Sequence, residues 1–196
     1  MTDSSDTALP ACLDAVTSAW EHVYRLQDVD GVFTVVTGGL RDSAEVSSVH
    51  KYLLACCRRI WPLIPESGSR MGVEAGEKYC RGEISWKEAR ETDWHSEGSA
   101  FIFAYNEDDD PAVAPYIAQI SQDRAAIERL LVPASSFASQ SVRELLTDAA
   151  YFANFALCYP AIRFGKQSKK QLQSYGKFMP LELFEAMVPA EYSTPR

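Results

Sequence analysis

Between Ser141 and Pro160 the chain is apolar on almost every side of a helical projection over its last turns, with Leu145, Ala149, Phe152, Phe155 and Ala156 inside it. A helix of that kind cannot lie on a surface, because no orientation hides its apolar groups from water, so other elements have to wrap it. Its ends are written in the sequence. Ser141 with Glu144 is a capping box, in which hydroxyl and carboxylate each take a free amide of the first turn, and Pro160 cannot continue the hydrogen-bond ladder. A central helix is therefore expected, and the rest of the chain must supply its cover.

The cover reads as further helices. Pro10 to about Gln27 places Leu13, Val16, Ala19 or Trp20, Val23 and Tyr24 at helical spacing. Asp42 with Glu45 opens a helix to about Trp61, where Pro62 and Pro65 stop it; its buried stripe is Val46, Val49, Leu53, Cys57 and Ile60, with His50 beside it. A third helix runs from near Ser67 to Gly82, the glycine serving as a left-handed stop. Ser85 with Glu88 opens another that reaches Trp94 and can continue to Tyr105 unless Gly98 interrupts it. If continuous, it aligns Trp94, Phe101 and Tyr105 in one aromatic stripe, which is expected to face the core. Asp110 and Pro111 start a helix over 112–131, and 181–188 fits one short final helix. Residues 31–39, with Val32, Phe33, Val35 and Val36 between glycines, read as a buried loop or helix extension, since a lone strand has no partner. The expected fold is all-α, an irregular multi-helix bundle of about six to eight helices forming a single domain over 1–196, with 1–8 flexible.

Composition narrows the function classes. An apolar share of 46% and a charged share of 23% are ordinary globular usage. A net charge of −8 repels phosphate backbones and anionic membranes, which argues against nucleic acid as a partner. No apolar run is long enough to span a bilayer, and Met1 to Thr7 lacks the basic and apolar regions of a signal peptide, so a cytoplasmic protein is expected. Cys12, Cys56, Cys57, Cys80 and Cys158 show no CxxC spacing and read as free, largely buried thiols. One basic run breaks the acidic pattern: Arg163, Lys166, Lys169, Lys170 and Lys177 carry no acid between them. It is expected to lie against the acidic body, with docking to an acidic partner or to nucleic acid as the alternatives.

The stretch from Leu53 to Arg90 has further detail. Leu53-Leu-Ala-Cys-Cys-Arg-Arg-Ile-Trp61 is followed by Ser69-Arg70, Val73-Glu74, Glu77-Lys-Tyr79, Gly82 and Glu88-Ala-Arg90. Over these residues the chain resembles a family of bacterial proteins, mainly from planctomycetes, that share a CCRRxW…SRxxVExxExYxxG helical motif. It departs from that pattern at Cys80 and Arg81. The resemblance implies common descent of a helical pair and brings no activity with it. From the residues themselves, the thiols and Gly68, Gly72 and Gly76, spaced four apart, suit close helix approach. Arg58 and Arg59 are expected to reach Glu74 and Glu77 across an antiparallel hairpin; the alternative is an anion site built from Arg58, Arg59 and Arg70.

Catalytic patterns are sparse. His22, His50 and His95 fall in no HExxH motif, and no serine sits in a GxSxG elbow. The one local cluster is Asp93, His95 and Glu97, where Asp93 and Glu97 share a helix face and could bind a divalent cation or act as an acid–base pair. His95 points away from both. No cofactor is implied. The sequence favours a non-catalytic helical interaction or regulatory domain acting on a protein partner or on a second copy of itself, with a metal-dependent enzyme or an anion-binding protein as the alternatives.

Overall fold

A computed structural model describes residues 44–65, 67–131, 140–161 and 174–187. Helix α1, Ala44–Arg59, ends where Pro62 would have had to donate to the carbonyl of Arg58, and the chain tightens into a 3₁₀ turn, Trp61–Leu63. Helix α2 is Gly68–Cys80. It stops at Gly82, whose φ of 73° is the left-handed conformation that glycine adopts without steric cost. There the amides of Gly82 and Glu83 donate to the carbonyls of Tyr79 and Lys78, at 2.9 and 3.0 Å, in a Schellman closure.

Helix α3, Trp86–Arg90, opens with the Ser85–Glu88 capping box. It does not run on into the next helix: the chain breaks at Glu91–Thr92, where the Thr92 hydroxyl donates to the carbonyl of Ala89 at 2.7 Å. Helix α4, Asp93–Tyr105, then passes through Gly98 without interruption. Asp110 turns the chain by accepting from the amide of Ala112. Pro115, rather than Pro111, occupies the first turn of the helix that follows, so the expected 112–131 helix begins late. It is also divided at Asp123 into α5, Ala114–Gln122, and α6, Arg124–Glu128.

Helix α7, Val142–Cys158, carries the Ser141–Glu144 capping box and buries Leu145, Leu146, Ala149, Ala150, Phe152, Ala153, Phe155, Ala156 and Leu157. It packs against α1, α2, α3, α4 and α5 and is the central helix that its apolar circumference requires. Helix α8, Leu181–Met187, docks on α1 through Tyr52, which meets Phe184 edge-on at 5.0 Å. The described residues contain no strand. The fold is all-α, an irregular multi-helix bundle, as the sequence pattern implies. The expected helix over 10–27, the 31–39 segment, Asp42, residues 1–8 and the basic residues Arg163, Lys166, Lys169 and Lys170 lie outside the described residues. Among those described, no helix is long and apolar enough to cross a membrane.

Candidate functional site

The α1–α2 hairpin is antiparallel, and its closeness is set by glycine. A Cβ at Gly76 would come within 2.9 Å of Leu54, and one at Gly72 within 3.0 Å of Ser96 on α4. At Gly68 it would sit 2.0 Å from the carbonyl oxygen of His95, inside any allowed contact. Helix α2 is thus pressed against α1 on one side and α4 on the other. Cys56 and Cys57 are fully buried between the helices, and burial pushes the Cys57 thiol well up. His50 is also buried; its Nδ1 lies 3.3 Å from Sγ of Cys80. Desolvation lowers the His50 pKa to about 3 against the pull of the Ala156 and Leu157 carbonyls, and burial raises Cys80 to about 11. The two form a neutral thiol–imidazole pair, the opposite of the thiolate–imidazolium pair that a cysteine nucleophile requires.

The three arginines of the hairpin have their donors engaged within the chain. Arg58 grips Glu77 with two 2.7 Å bonds, lies 4.0 Å from Glu74, and stacks over the Trp61 ring. That is the expected interhelical tie. Arg59 does not reach either glutamate: it turns the other way and donates to the carbonyls of Arg129 and Leu130 beyond the end of α6. Carbonyls left free at a helix end attract a cation, and Glu77 is already held by Arg58. Arg70 donates to the carbonyls of Ile64 and Trp61 and so closes the 3₁₀ turn.

The Asp93, His95 and Glu97 side chains do not converge. Oδ1 of Asp93 accepts from Asn154 at 2.8 Å and from the Cys158 thiol at 2.9 Å, tying the start of α4 to the end of α7. Burial and this carboxylate both hold Cys158 protonated. His95 is exposed and Glu97 half-buried. Among the described residues, no three His, Cys, Asp or Glu side chains are placed to share a metal ion. Of the basic run, Lys177 is described: it is buried against Asp148 and Gln140, an internal ion pair of the kind expected for that segment.

The aromatic stripe on α4 overturns the expectation that it faces the core. Trp94 is 79% exposed and Tyr105 76%, and Phe101 on the same face is exposed as well. The buried side of α4 is instead Ser96, Ser99, Ala100 and Phe103. Helix α2 presents glycines, so only small side chains fit between the two backbones, and the aromatic side is turned to water. The far end of α4 is held by Arg143, which donates to the carbonyls of Phe103, Ala104 and Asn106 and pairs with Asp108 at 3.1 Å. Thr147 adds a bond to the Phe103 carbonyl. Phe101 packs on Tyr105 and on Tyr151 of α7, with ring centroids 5.8 and 6.3 Å apart. Beside the stripe, exposed Ile102 leads into a cavity of about 540 Å³ between α4 and α5, lined also by Phe103, Pro111, Pro115, Tyr116 and Gln119.

No protein-family model, curated protein or solved structure matches the chain.

Proposed function

We propose that the chain is a helical protein-interaction domain that docks its partner on the aromatic face of α4. The observation that carries this reading is the exposure of Trp94 and Tyr105 on one rigid helix, next to Phe101, Ile102 and an apolar groove. Aromatic side chains of this size bury roughly 150–250 Å² each in an interface and are enriched among the residues that dominate binding energy. A patch of this kind on an otherwise acidic surface marks contact with another macromolecule. The helix is anchored at both ends, by Asp93 on Asn154 and Cys158 and by Arg143 on the last carbonyls, so it presents the patch with little ordering left to do on binding. An anion site at Arg58, Arg59 and Arg70 has less support, since their donors are engaged, and an enzyme at Asp93 has less, since its carboxylate holds two structural donors. Cys56, Cys57, Cys80 and Cys158, none of them in a disulfide, suit a reducing, cytoplasmic setting. Kinship of the hairpin with the CCRRxW proteins is also proposed, supported by Cys56, Cys57, Arg58, Trp61 and Glu77 all sitting at helix contacts.

The test is a photo-crosslinking residue at position 94, with Lys87 of α3, which is exposed and off this face, as the control position. A discrete adduct at 94 that is lost in Tyr105→Ser is expected, with the melting temperature of that variant within about 3 °C of the parent, because Tyr105 is 76% exposed and such side chains contribute little to stability. The same adducts from both positions would remove the support for this face.

A further inference from the structure

We infer that the α4 face takes a cationic amphipathic segment of a partner protein, with an apolar side chain of that segment seated over Gly98 and its lysines or arginines on the rim. The inference rests on the reading of α4 as the interface and names the partner's chemistry.

Trp94, Gly98, Phe101 and Tyr105 follow one another at intervals of four, three and four residues, the spacing by which one helix meets another along a seam. Gly98 is the unusual member. A glycine inside a helix costs roughly 1 kcal/mol relative to alanine. Gly68, Gly72 and Gly76 all have a reason in the fold, since a Cβ at any of them would strike a neighbour, whereas a Cβ at Gly98 would meet nothing within 4 Å among the described residues. The packing of the described residues does not call for this glycine. Its effect is to leave the exposed face without a side chain between Trp94 on one side and Phe101 and Tyr105 on the other.

Size and charge decide between occupants. A helix of 13 residues is about 20 Å long at the usual rise. That length accommodates one helical segment lying along it, and with the usual helix diameter of about 10 Å its face offers roughly 200 Å², short of the ~800 Å² per partner typical of a stable pair of whole domains. From Glu91 to Asp110 the chain carries seven carboxylates and no Lys or Arg. Glu97 lies on the flank of the stripe, and Glu107 and Asp109 are exposed just beyond its end. Arg143, which reaches in from α7, is occupied by Asp108 and by backbone carbonyls. A second copy would bring the same carboxylates against these. A cationic segment pairs with them, and its lysines or arginines gain further from the open faces of Trp94 and Tyr105.

The experiment uses the full chain and a fluorescein-labelled synthetic helix of Leu, Ala and Lys with one apolar face, beside a twin in which every Lys is Glu. Fluorescence anisotropy is expected to show binding of the Lys helix, weakened about tenfold or more by Gly98→Leu, which places a side chain in that gap, and by Glu97→Lys. Both variants are on the surface; melting of Gly98→Leu at or somewhat above the parent temperature, and of Glu97→Lys close to it, confirms that the fold is kept. Equal binding of the Lys and Glu helices would overturn the cationic partner and leave the interface standing. Binding of the Lys helix indifferent to both substitutions would overturn the placement on α4. A concentration-dependent dimer in sedimentation that Trp94→Asp abolishes would assign the face to a second copy. Absence of binding by either helix would overturn the inference, while the crosslink at position 94 would still report on the interface reading by itself.

Discussion

Replacing Gly68 by alanine is expected to cost about 3 kcal/mol or more, a fall in melting temperature of roughly 6–12 °C for a chain of this size. The added Cβ would lie 2.0 Å from the carbonyl oxygen and 2.3 Å from the carbonyl carbon of His95. Both are backbone atoms of α4, so the conflict cannot be relieved by a side-chain rotation; α2 and α4 have to separate, and the contacts of Ser96 and Leu157 with Gly72 open with them. The glycines should form a graded series. Gly72→Ala meets Ser96 at 3.0 Å and is expected to cost less. Gly76→Ala meets the movable end of Leu54, at 2.9 Å, and should cost less again. Gly98→Ala meets nothing and is expected to stabilise the free chain by about 0.5–1 kcal/mol through helix propensity alone. Calorimetry on the four variants checks both the order and the change of sign. A Gly68→Ala protein that melts with the parent would mean that α2 and α4 are not in this contact.

The second large effect is on acid stability. His50 is wholly buried, and its pKa falls from the ordinary 6.5 to about 3 in the folded chain. Between these two values the unfolded chain binds a proton that the folded chain refuses, so stability declines as pH falls through that window, by up to ~1.4 kcal/mol per pH unit. Above pH 6.5 both states hold the neutral ring and the term vanishes. His50→Leu removes the titrating group, and the stability difference between parent and variant is expected to move in the variant's favour by about 3 kcal/mol between pH 7.5 and pH 4.5. Urea unfolding at several pH values measures this, with His95→Gln as the control. Parallel curves for parent and His50→Leu would show that the imidazole is not held neutral.

The parts of the fold legible in the sequence are those where one local signal decides. Both serine–glutamate capping boxes, the stop at Gly82, the circumference of α7 and the close approach at Gly68, Gly72 and Gly76 are each settled within a few residues of chain. Arg58 found its glutamate because hairpin geometry left it little choice. Arg59 did not, because the carbonyls beyond α6 that claim it lie far along the chain and carry no sequence mark. The break at Glu91–Thr92 and the late start of α5 at Ala114 are decided by tertiary packing and by which of two prolines takes the first turn.

The orientation of α4 was the largest departure, and it has a physical cause. An aromatic stripe ordinarily marks the buried face, since burial of large apolar groups dominates helix packing. Here the neighbouring helix is lined with glycine, and the closest backbone approach is reached with Ser96, Ser99 and Ala100 inside and the aromatic residues outside. The signal was present in two places that have to be read together. The glycine spacing on α2 asks for a small-residue partner, and Ser96, Ser99 and Ala100, at positions i, i+3 and i+4, are that partner.

The state of Trp94 in solution is the most direct measurement of whether α4 presents an exposed aromatic face. The chain labelled with 5-fluorotryptophan, its resonances assigned through Trp94→Phe and Trp86→Phe, is observed by fluorine NMR with and without a soluble gadolinium chelate. Trp94, 79% exposed, should broaden strongly, whereas Trp86, 2% exposed, should not, and addition of the Lys helix should restore the Trp94 line. A Trp94 resonance as protected as that of Trp86 in the free chain would contradict the exposed face and, with it, the proposed site of interaction.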